Sequence, residues 1–223
     1  MLAFVVSGVA LIFCLTVYRN YRNMKSGTFS WDFSSGSVSA YSSNANLSYD
    51  DIVKPTPDND PLIGPKDAKV TVIAFEDFTC PYCKDEAIIF REVIEQYKDR
   101  VLFVYRDFPL PDHTWAQKAA EAAECANDEG LFWYMHDSLF LNQESITSVD
   151  SLVILAGQLG MDETSFRSCL ENGDNTSEVS KDFQDGVLAG VGATPTFFLN
   201  GHKIAGLVTK AYWEKALNYL LAN

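Results

Sequence analysis

The spacing of apolar residues predicts the first half of a folded domain. Residues 69–75 and 101–105 are nearly unbroken apolar runs, which is typical of parallel strands that are covered on both faces. Between them, residues 84–98 carry apolar side chains at the spacing of one helix face. The three segments therefore predict a β-α-β unit with two neighbouring parallel strands.

The second half begins with a long helical period, from about residue 113 to residue 190. The strand pattern then returns at residues 196–199 and 202–204, which are separated by Asn200-Gly201, a pair typical of a two-residue hairpin. Residues 210–221 are again helical in pattern. The order of elements predicts an α/β domain with a helical insertion at about 113–190.

The N-terminal segment has a different character. Residues 2–18 contain no charged side chain and, as a helix, would span about 25 Å, slightly less than the ~30 Å hydrocarbon core of a bilayer. No small-residue cleavage site comes after it, so we expect residues 1–25 to be a single-pass membrane anchor or an uncleaved signal rather than a buried helix. Arg19, Arg22 and Lys25 come next, and the positive-inside rule would place the C-terminal part of the chain in the cytoplasm.

A polar segment separates this anchor from the rest of the chain. Residues 26–60 contain nine serines and show no apolar periodicity, which is typical of a flexible linker. Random-coil scaling gives the linker an end-to-end reach of about 30–35 Å. The folded domain is therefore expected over residues 61–223.

The candidate chemistry lies in the motif Cys80-Pro81-Tyr82-Cys83, at the junction of the first strand and the first helix. Unpaired N–H groups and the helix dipole at such a junction favour a thiolate, and Pro81 suits the first helical position because its missing N–H is not needed there. We therefore expect a low pKa for Cys80, which would be the attacking sulfur, with Cys83 resolving the mixed disulfide.

Half of a zinc site is the alternative interpretation of this motif. Zinc normally needs four ligands, and neither a second Cys-x-x-Cys pair nor a paired-histidine motif is present. His113, His136 and His202 are far apart in sequence, and we interpret the first two as structural because neither lies in the motif. Redox chemistry without a metal is therefore favoured.

Three motifs in this order resemble one family. Residues 75–83 read Phe-Glu-Asp-Phe-Thr-Cys-Pro-Tyr-Cys, residues 105–110 read Tyr-Arg-Asp-Phe-Pro-Leu, and residues 192–201 read Gly-Ala-Thr-Pro-Thr-Phe-Phe-Leu-Asn-Gly. Together they resemble the DsbA-like thiol:disulfide oxidoreductases of bacteria over roughly residues 61–223. The resemblance implies a thioredoxin fold with a helical insertion, acting as an oxidant of exported proteins.

The resemblance also implies roles for further residues. The proline that matches Pro195 is cis in the family and faces the active-site disulfide, so we include Thr194 and Pro195 in the site; an ordinary turn proline is the alternative. Cys125 and Cys169 lie in strings that recur as a pair in some DsbA-like proteins, which implies a structural disulfide, against the alternative of two separate buried thiols. With Cys14 isolated in the apolar run, such pairing suits an oxidising compartment.

One position departs from the family pattern. Relatives commonly carry a glutamate six residues before the first cysteine, where this chain has Ala74. Glu76 has the same strand parity as Ala74, so it is either a replacement for the buried proton acceptor or a solvated side chain. The departure leaves the redox potential of the cysteine pair open.

Charge and missing motifs narrow the function further. The net charge of −13 argues against nucleic-acid binding, and no glycine-rich dinucleotide motif suggests a nicotinamide or flavin cofactor. Despite the positive charges that follow the apolar segment, the resemblance argues for an extracytoplasmic domain, so we expect a membrane-anchored oxidase with its catalytic domain in the periplasm or an equivalent space. Its partners would be cysteine-containing exported proteins and, by resemblance, a quinone-linked membrane oxidase. Because Cys-Pro-Tyr-Cys also occurs in glutaredoxins, which are reductants, the motif does not fix the direction of exchange, and a reductase or isomerase is an alternative. A non-enzymatic binding module with the thioredoxin fold is a second alternative.

Overall fold

The computed structural model describes residues 60–223, so the expected anchor and nearly all of the expected linker lie outside the described residues. In this part of the chain no helix is long and apolar enough to cross a membrane. Its strands and α-helices are, in order, β1 (Leu62–Ile63), β2 (Val70–Glu76), α1 (Pro81–Tyr97), β3 (Val101–Asp107), α2 (Ala116–Asn127), α3 (Phe132–Leu141), α4 (Val149–Gln158), α5 (Glu163–Asn172), α6 (Thr176–Leu188), β4 (Thr196–Leu199), β5 (His202–Ala205) and α7 (Lys210–Ala222).

A mixed sheet with the strand order β1-β3-β2-β4-β5 forms the centre of the domain. β2 and β3 are parallel, while β4 pairs antiparallel with β2 and with β5. Asn200 and Gly201 turn the β4–β5 hairpin with φ angles of 46° and 85°, which asparagine and glycine tolerate best. The predicted β-α-β unit, hairpin and final helix are confirmed. β1 was not predicted, because a strand of two residues shows no alternation.

Both faces of the sheet are covered, which explains the unbroken apolar runs. On one face Phe90 of α1 and Trp213 of α7 pack their rings 5.4 Å apart, over β2 and Phe197 of β4. On the other face Phe108 and Phe183 of α6 stack at 4.6 Å. The active-site end of β2 therefore lies in the buried middle of the domain.

The helical insertion has its own core and also reaches the active-site turn. Apolar residues of α2 to α5 pack together, and the same cluster contains Phe78, Cys80, Cys83 and Tyr105. α4, α5 and α7 begin after capping residues whose side chains accept a backbone N–H three residues later, as the sequence favours: Ser148, Asp162 and Thr209. The helical insertion therefore packs against one side of the Cys80–Cys83 motif and does not form a separate unit.

An acidic cluster surrounds Arg106 at the end of β3. Its Nε donates to Asp60 Oδ2 at 2.9 Å, and its Nη1 donates to Asp185 Oδ2 at 2.8 Å and lies 3.3 Å from Asp182 Oδ1. Asp60, at the end of the expected linker, is thus buried in the domain. Burial, together with the charge of Asp182, raises the pKa of Asp60 to about 8. Burial likewise raises the pKa of Asp182 and of Glu124 to about 7.

This cluster makes stability depend on pH. Since the pKa of Glu124 rises from 4.5 to about 7 on folding, its contribution to stability is complete below pH 4.5 and is lost as the pH rises through 7. We expect Glu124→Gln to melt like the wild type near pH 4 and roughly 5 °C higher at pH 8. Thermal unfolding from pH 4 to 8 measures this, with exposed Glu129→Gln as the control. An equal effect of Glu124→Gln at both ends of this range would contradict the assignment.

Candidate active site

Cys80 lies where the sequence pattern places it, at the start of α1. It is the N-terminal capping residue, with extended backbone angles (φ −76°, ψ 124°), and Pro81 occupies the first helical position. Only 3% of Cys80 is exposed, whereas 60% of Tyr82 beside it is exposed. Pro81 is exposed as well, so the surface at this turn is formed by the two residues between the cysteines.

The Cys80 sulfur is surrounded by hydrogen-bond donors. A hydrogen bond from Cys83, then one from the Thr194 side chain and others from the backbone N–H groups of Cys83 and Tyr82, lower the pKa of Cys80 to about 5, although burial acts in the opposite direction. In the thiol form, the S–H of Cys80 is directed at the Thr194 carbonyl oxygen, 3.6 Å away. The environment therefore favours a thiolate at Cys80.

Cys83 has the opposite environment. It is fully buried, and its sulfur accepts a hydrogen bond from the Asp77 N–H at 3.5 Å. Burial, the hydrogen bond to Cys80 and the charge of Glu76 raise the pKa of Cys83 well above its usual range. Of the two thiols, Cys80 is thus the one that is ionised at neutral pH.

The loop before β4 brings Thr194 and Pro195 to Cys80 across 114 residues of sequence. The Thr194–Pro195 peptide bond is cis, as the family resemblance implies. Thr194 Oγ1 is buried and pairs with no group other than Cys80 among the described residues, so its hydroxyl is free to donate to a thiolate there. The Pro195 carbonyl accepts from the Gly206 N–H at 2.8 Å, which ties this loop to the end of β5.

Glu76, the last residue of β2, is buried, so the solvated alternative does not hold. Its Oε2 lies 3.7 Å from Nε2 of His136 in α3, longer than a direct hydrogen bond. Burial raises the pKa of Glu76. For His136, burial lowers the pKa, but the Asp137 hydrogen bond and the Glu76 carboxylate outweigh it and raise the pKa overall.

The two histidines that were interpreted as structural from the sequence are both close to the motif. Besides the contact of His136 with Glu76, Nδ1 of His113 lies 2.7 Å from Asp77 Oδ2. Neither contact could be predicted from the sequence, because both histidines are far from the motif along the chain. Gln143 was also missed: its Nε2 donates to the carbonyls of Phe78 and Cys80, both at 2.9 Å, and nothing local in the sequence distinguishes it.

Cys125 of α2 and Cys169 of α5 are joined by a disulfide, with their Cα atoms 6.2 Å apart. The bond lies in the helical insertion, whereas Cys80 and Cys83 are free thiols in this structure. The two cysteine pairs therefore occupy separate places in the described part of the chain.

Among the described residues, three acidic side chains away from the cysteine motif are close enough together to hold a metal ion. One carboxylate oxygen from each of Asp60, Glu178 and Asp182 lies within 4.8 Å of the others. Because Arg106 already pairs with Asp60 and Asp182, a cation there would compete with a guanidinium. The cysteine motif is not part of this group.

Comparison with known proteins agrees with this geometry. A family model described as "Thioredoxin" matches residues 56–219. The chain has the fold of BdbD from Bacillus subtilis in its oxidised form, with a TM-score of 0.69 and 24% identity over 76% of this chain and 97% of that one. Alpha-DsbA1 from Wolbachia pipientis gives a TM-score of 0.69 and 21% identity, covering 78% of this chain and 96% of that one.

Sequence relatives include much longer proteins. The chain is 40% identical over 151 residues to the Na(+)/H(+) antiporter NhaA 3 of Salinispora tropica, which covers 67% of this chain and 23% of the antiporter. It is 32% identical over 150 residues to the NhaA antiporter of Herminiimonas arsenicoxydans, covering 67% and 24%. The chain thus spans about a quarter of the length of these curated relatives.

The thioredoxin-like sheet, the helical insertion and the Cys-x-x-Cys pair beside Thr194 and Pro195 are the features that the resemblance to DsbA-like proteins implies. The family model covers well over half of the chain, and the protein therefore belongs to the thioredoxin family. The resemblance seen in the three sequence motifs is confirmed.

Proposed function

We propose that this protein is an extracytoplasmic thiol:disulfide oxidase that introduces disulfides into exported proteins through Cys80 and Cys83. The observation that carries this proposal is the contrast between the two thiols: the pKa of Cys80 is lowered to about 5, while that of Cys83 is raised. A stabilised Cys80 thiolate stabilises the reduced form, which makes the disulfide form a stronger oxidant.

The proposed reaction begins with the oxidised pair. A substrate thiolate attacks the Cys80 sulfur, the Cys80–Cys83 bond breaks, and its electron pair remains on Cys83, which takes up a proton. A second substrate thiolate then attacks the substrate sulfur of this mixed disulfide, and Cys80 leaves as a thiolate. The substrate has lost two electrons and gained a disulfide; the protein holds them as one thiolate and one thiol.

The cis-proline loop and Glu76 have supporting roles in this proposal. Pro195 has no N–H that could pair with the sulfurs, and the Thr194 carbonyl oxygen before it lies 3.6 Å from the Cys80 sulfur. The Thr194 hydroxyl stabilises the Cys80 thiolate as a donor. Glu76 replaces, from a neighbouring position, the buried acid that relatives carry where this chain has Ala74; its burial and its influence on the pKa of Cys83 support this.

The direction of exchange is tested by the reduction potential of Cys80–Cys83 in glutathione buffers. We expect a value nearer to the −120 mV of DsbA than to the −270 mV of thioredoxin, that is, above roughly −200 mV. A potential below roughly −250 mV would instead favour the reductase or isomerase. Absence of any exchange with insulin or glutathione would favour a non-enzymatic binding module.

The compartment and partners belong to the same proposal. A disulfide between Cys125 and Cys169 is expected in an oxidising space, which supports an extracytoplasmic domain, tethered by residues 1–25 through the linker. We propose a quinone-linked membrane oxidase as the protein that reoxidises the pair, since no dinucleotide motif offers another electron acceptor. Reporter fusions at the C-terminus test the location: an alkaline phosphatase fusion should be active, and a fluorescent reporter that requires the cytoplasm should not.

A further inference from the structure

His136 is a fully buried imidazole next to the active-site strand, and the proposed exchange steps do not use it. It lies among the rings of Phe78, Tyr105, Phe132, Trp133 and Phe140, with centroid distances from 4.9 to 6.1 Å. A histidine that only filled this apolar space would need no charged neighbours. Instead it has a carboxylate on each side, Glu76 at Nε2 and Asp137 at Nδ1.

The two ring nitrogens have different tasks. Nδ1 lies 2.9 Å from Asp137 Oδ1, a hydrogen-bond distance. Because a carboxylate can only accept, Nδ1 carries a proton and donates it to Asp137. Nε2 then faces Glu76 Oε2 at 3.7 Å, and neither atom has another hydrogen-bond partner among the described residues. This distance is longer than a direct hydrogen bond, so a small shift of either side chain is needed before one proton can link the two atoms, as carboxylic acid and imidazole or as carboxylate and imidazolium.

The cysteine chemistry needs such a proton. When the Cys80–Cys83 bond opens, Cys83 leaves as a buried thiolate, and a buried, unpaired charge is costly. The Cys83 sulfur lies against the end of β2, where it accepts the N–H of Asp77, the residue after Glu76, at 3.5 Å, and the charge of Glu76 helps to raise the pKa of Cys83. The titratable groups that face Glu76 come from three elements: Cys80, Cys83 and Glu86 of the α1 region, Tyr105 of β3, and His136 of α3.

We propose that Glu76 and His136 share one proton, which passes from Glu76 to Cys83 when the disulfide opens and returns when it closes, with Asp137 holding the imidazole in place. No electrons move in this transfer: the S–S electron pair stays on Cys83, and the proton comes from the Glu76–His136 pair. His136 and Asp137 are thus positioning residues, whereas Glu76 is the group that exchanges the proton with the reacting thiol. This inference rests on the proposed thiol exchange, in either direction.

The test is the rate at which dithiothreitol reduces the Cys80–Cys83 disulfide of the full chain, from pH 5 to 9, divided by the fraction of reagent present as thiolate. In the wild type we expect this corrected rate to fall as the pH passes the point where the shared proton is lost. Glu76→Gln should be slower by about ten- to a hundredfold below that point, because a general acid is missing, and should show no such fall.

Asp137→Asn separates this role from a purely structural one. Asp137 is 39% exposed at its side chain, so the substitution is compatible with folding. Because an amide stabilises the imidazolium less than a carboxylate does, the fall in rate should move to lower pH. Glu92→Gln is the matched control: Glu92 is also a surface carboxylate in an ion pair, with Lys210 at 2.7 Å, and its loss should leave the profile unchanged.

The outcomes distinguish the two proposals. A wild-type disulfide that does not react with dithiothreitol would refute the proposed exchange function itself. If the wild type reacts but both Asp137→Asn and Glu76→Gln show the same pH profile as the wild type, the proposal of a shared proton is wrong, while the exchange function still holds. If Glu76→Gln does not fold, the position of the fall in Asp137→Asn decides alone.

Discussion

A Cys83→Ser variant is expected to accumulate mixed disulfides between Cys80 and its substrates, whereas Cys80→Ser should give none above background. With a pKa of about 5, Cys80 is present as thiolate over thiol in about a hundredfold excess at pH 7, while the raised pKa of Cys83 keeps it a thiol. Cys80 is therefore the sulfur that forms the adduct, and serine at 83 cannot resolve it. Non-reducing gels followed by peptide mapping of the adducts measure this.

The matched control for trapping is the double variant Cys80→Ser/Cys83→Ser. It retains Cys14, Cys125 and Cys169, so any adduct that it forms does not arise from the motif. Adducts that map to Cys83 in the Cys80→Ser protein, at a level similar to those of Cys83→Ser, would refute the assignment of nucleophile and resolving thiol.

Replacing both Cys125 and Cys169 by alanine should destabilise the domain by about 4 kcal/mol in the chain-entropy model, which lowers the melting temperature by roughly 10 °C. The bond closes a loop with a sequence separation of 44 residues and links α2 to α5. Without it, the unfolded chain gains freedom that the folded insertion lacks. Thermal unfolding of the variant against the wild type measures the effect.

Labelling provides an independent check of the same disulfide. Under native, mildly reducing conditions a thiol reagent should label Cys80 first. Cys125 and Cys169 should label only after denaturation with reductant. If denaturation without reductant exposes both as free thiols, the bond is absent. If the alanine variant melts within about 1 °C of the wild type, the bond contributes little to stability.

The sequence predicted the elements whose signal is local. Unbroken apolar runs predicted the parallel strands β2 and β3, because a strand covered on both faces has no polar positions. Asn200-Gly201 predicted the hairpin, because its turn needs positive φ angles. The position of Cys80 at the start of α1 also came from neighbouring residues alone, since a helix N-terminus is defined by its own first turn.

Tertiary structure decided everything that depends on residues far apart in the chain. Whether Glu76 is solvated or buried could not be determined from strand parity, because parity assigns a face and not what covers it; α3 and its His136 cover it here. The approach of Thr194 to Cys80 depends on β4 pairing with β2. Local sequence patterns determine which elements form and where the nucleophile is. Long-range packing places the charges around that nucleophile, and burial then sets their protonation because it penalises the charged form of each group.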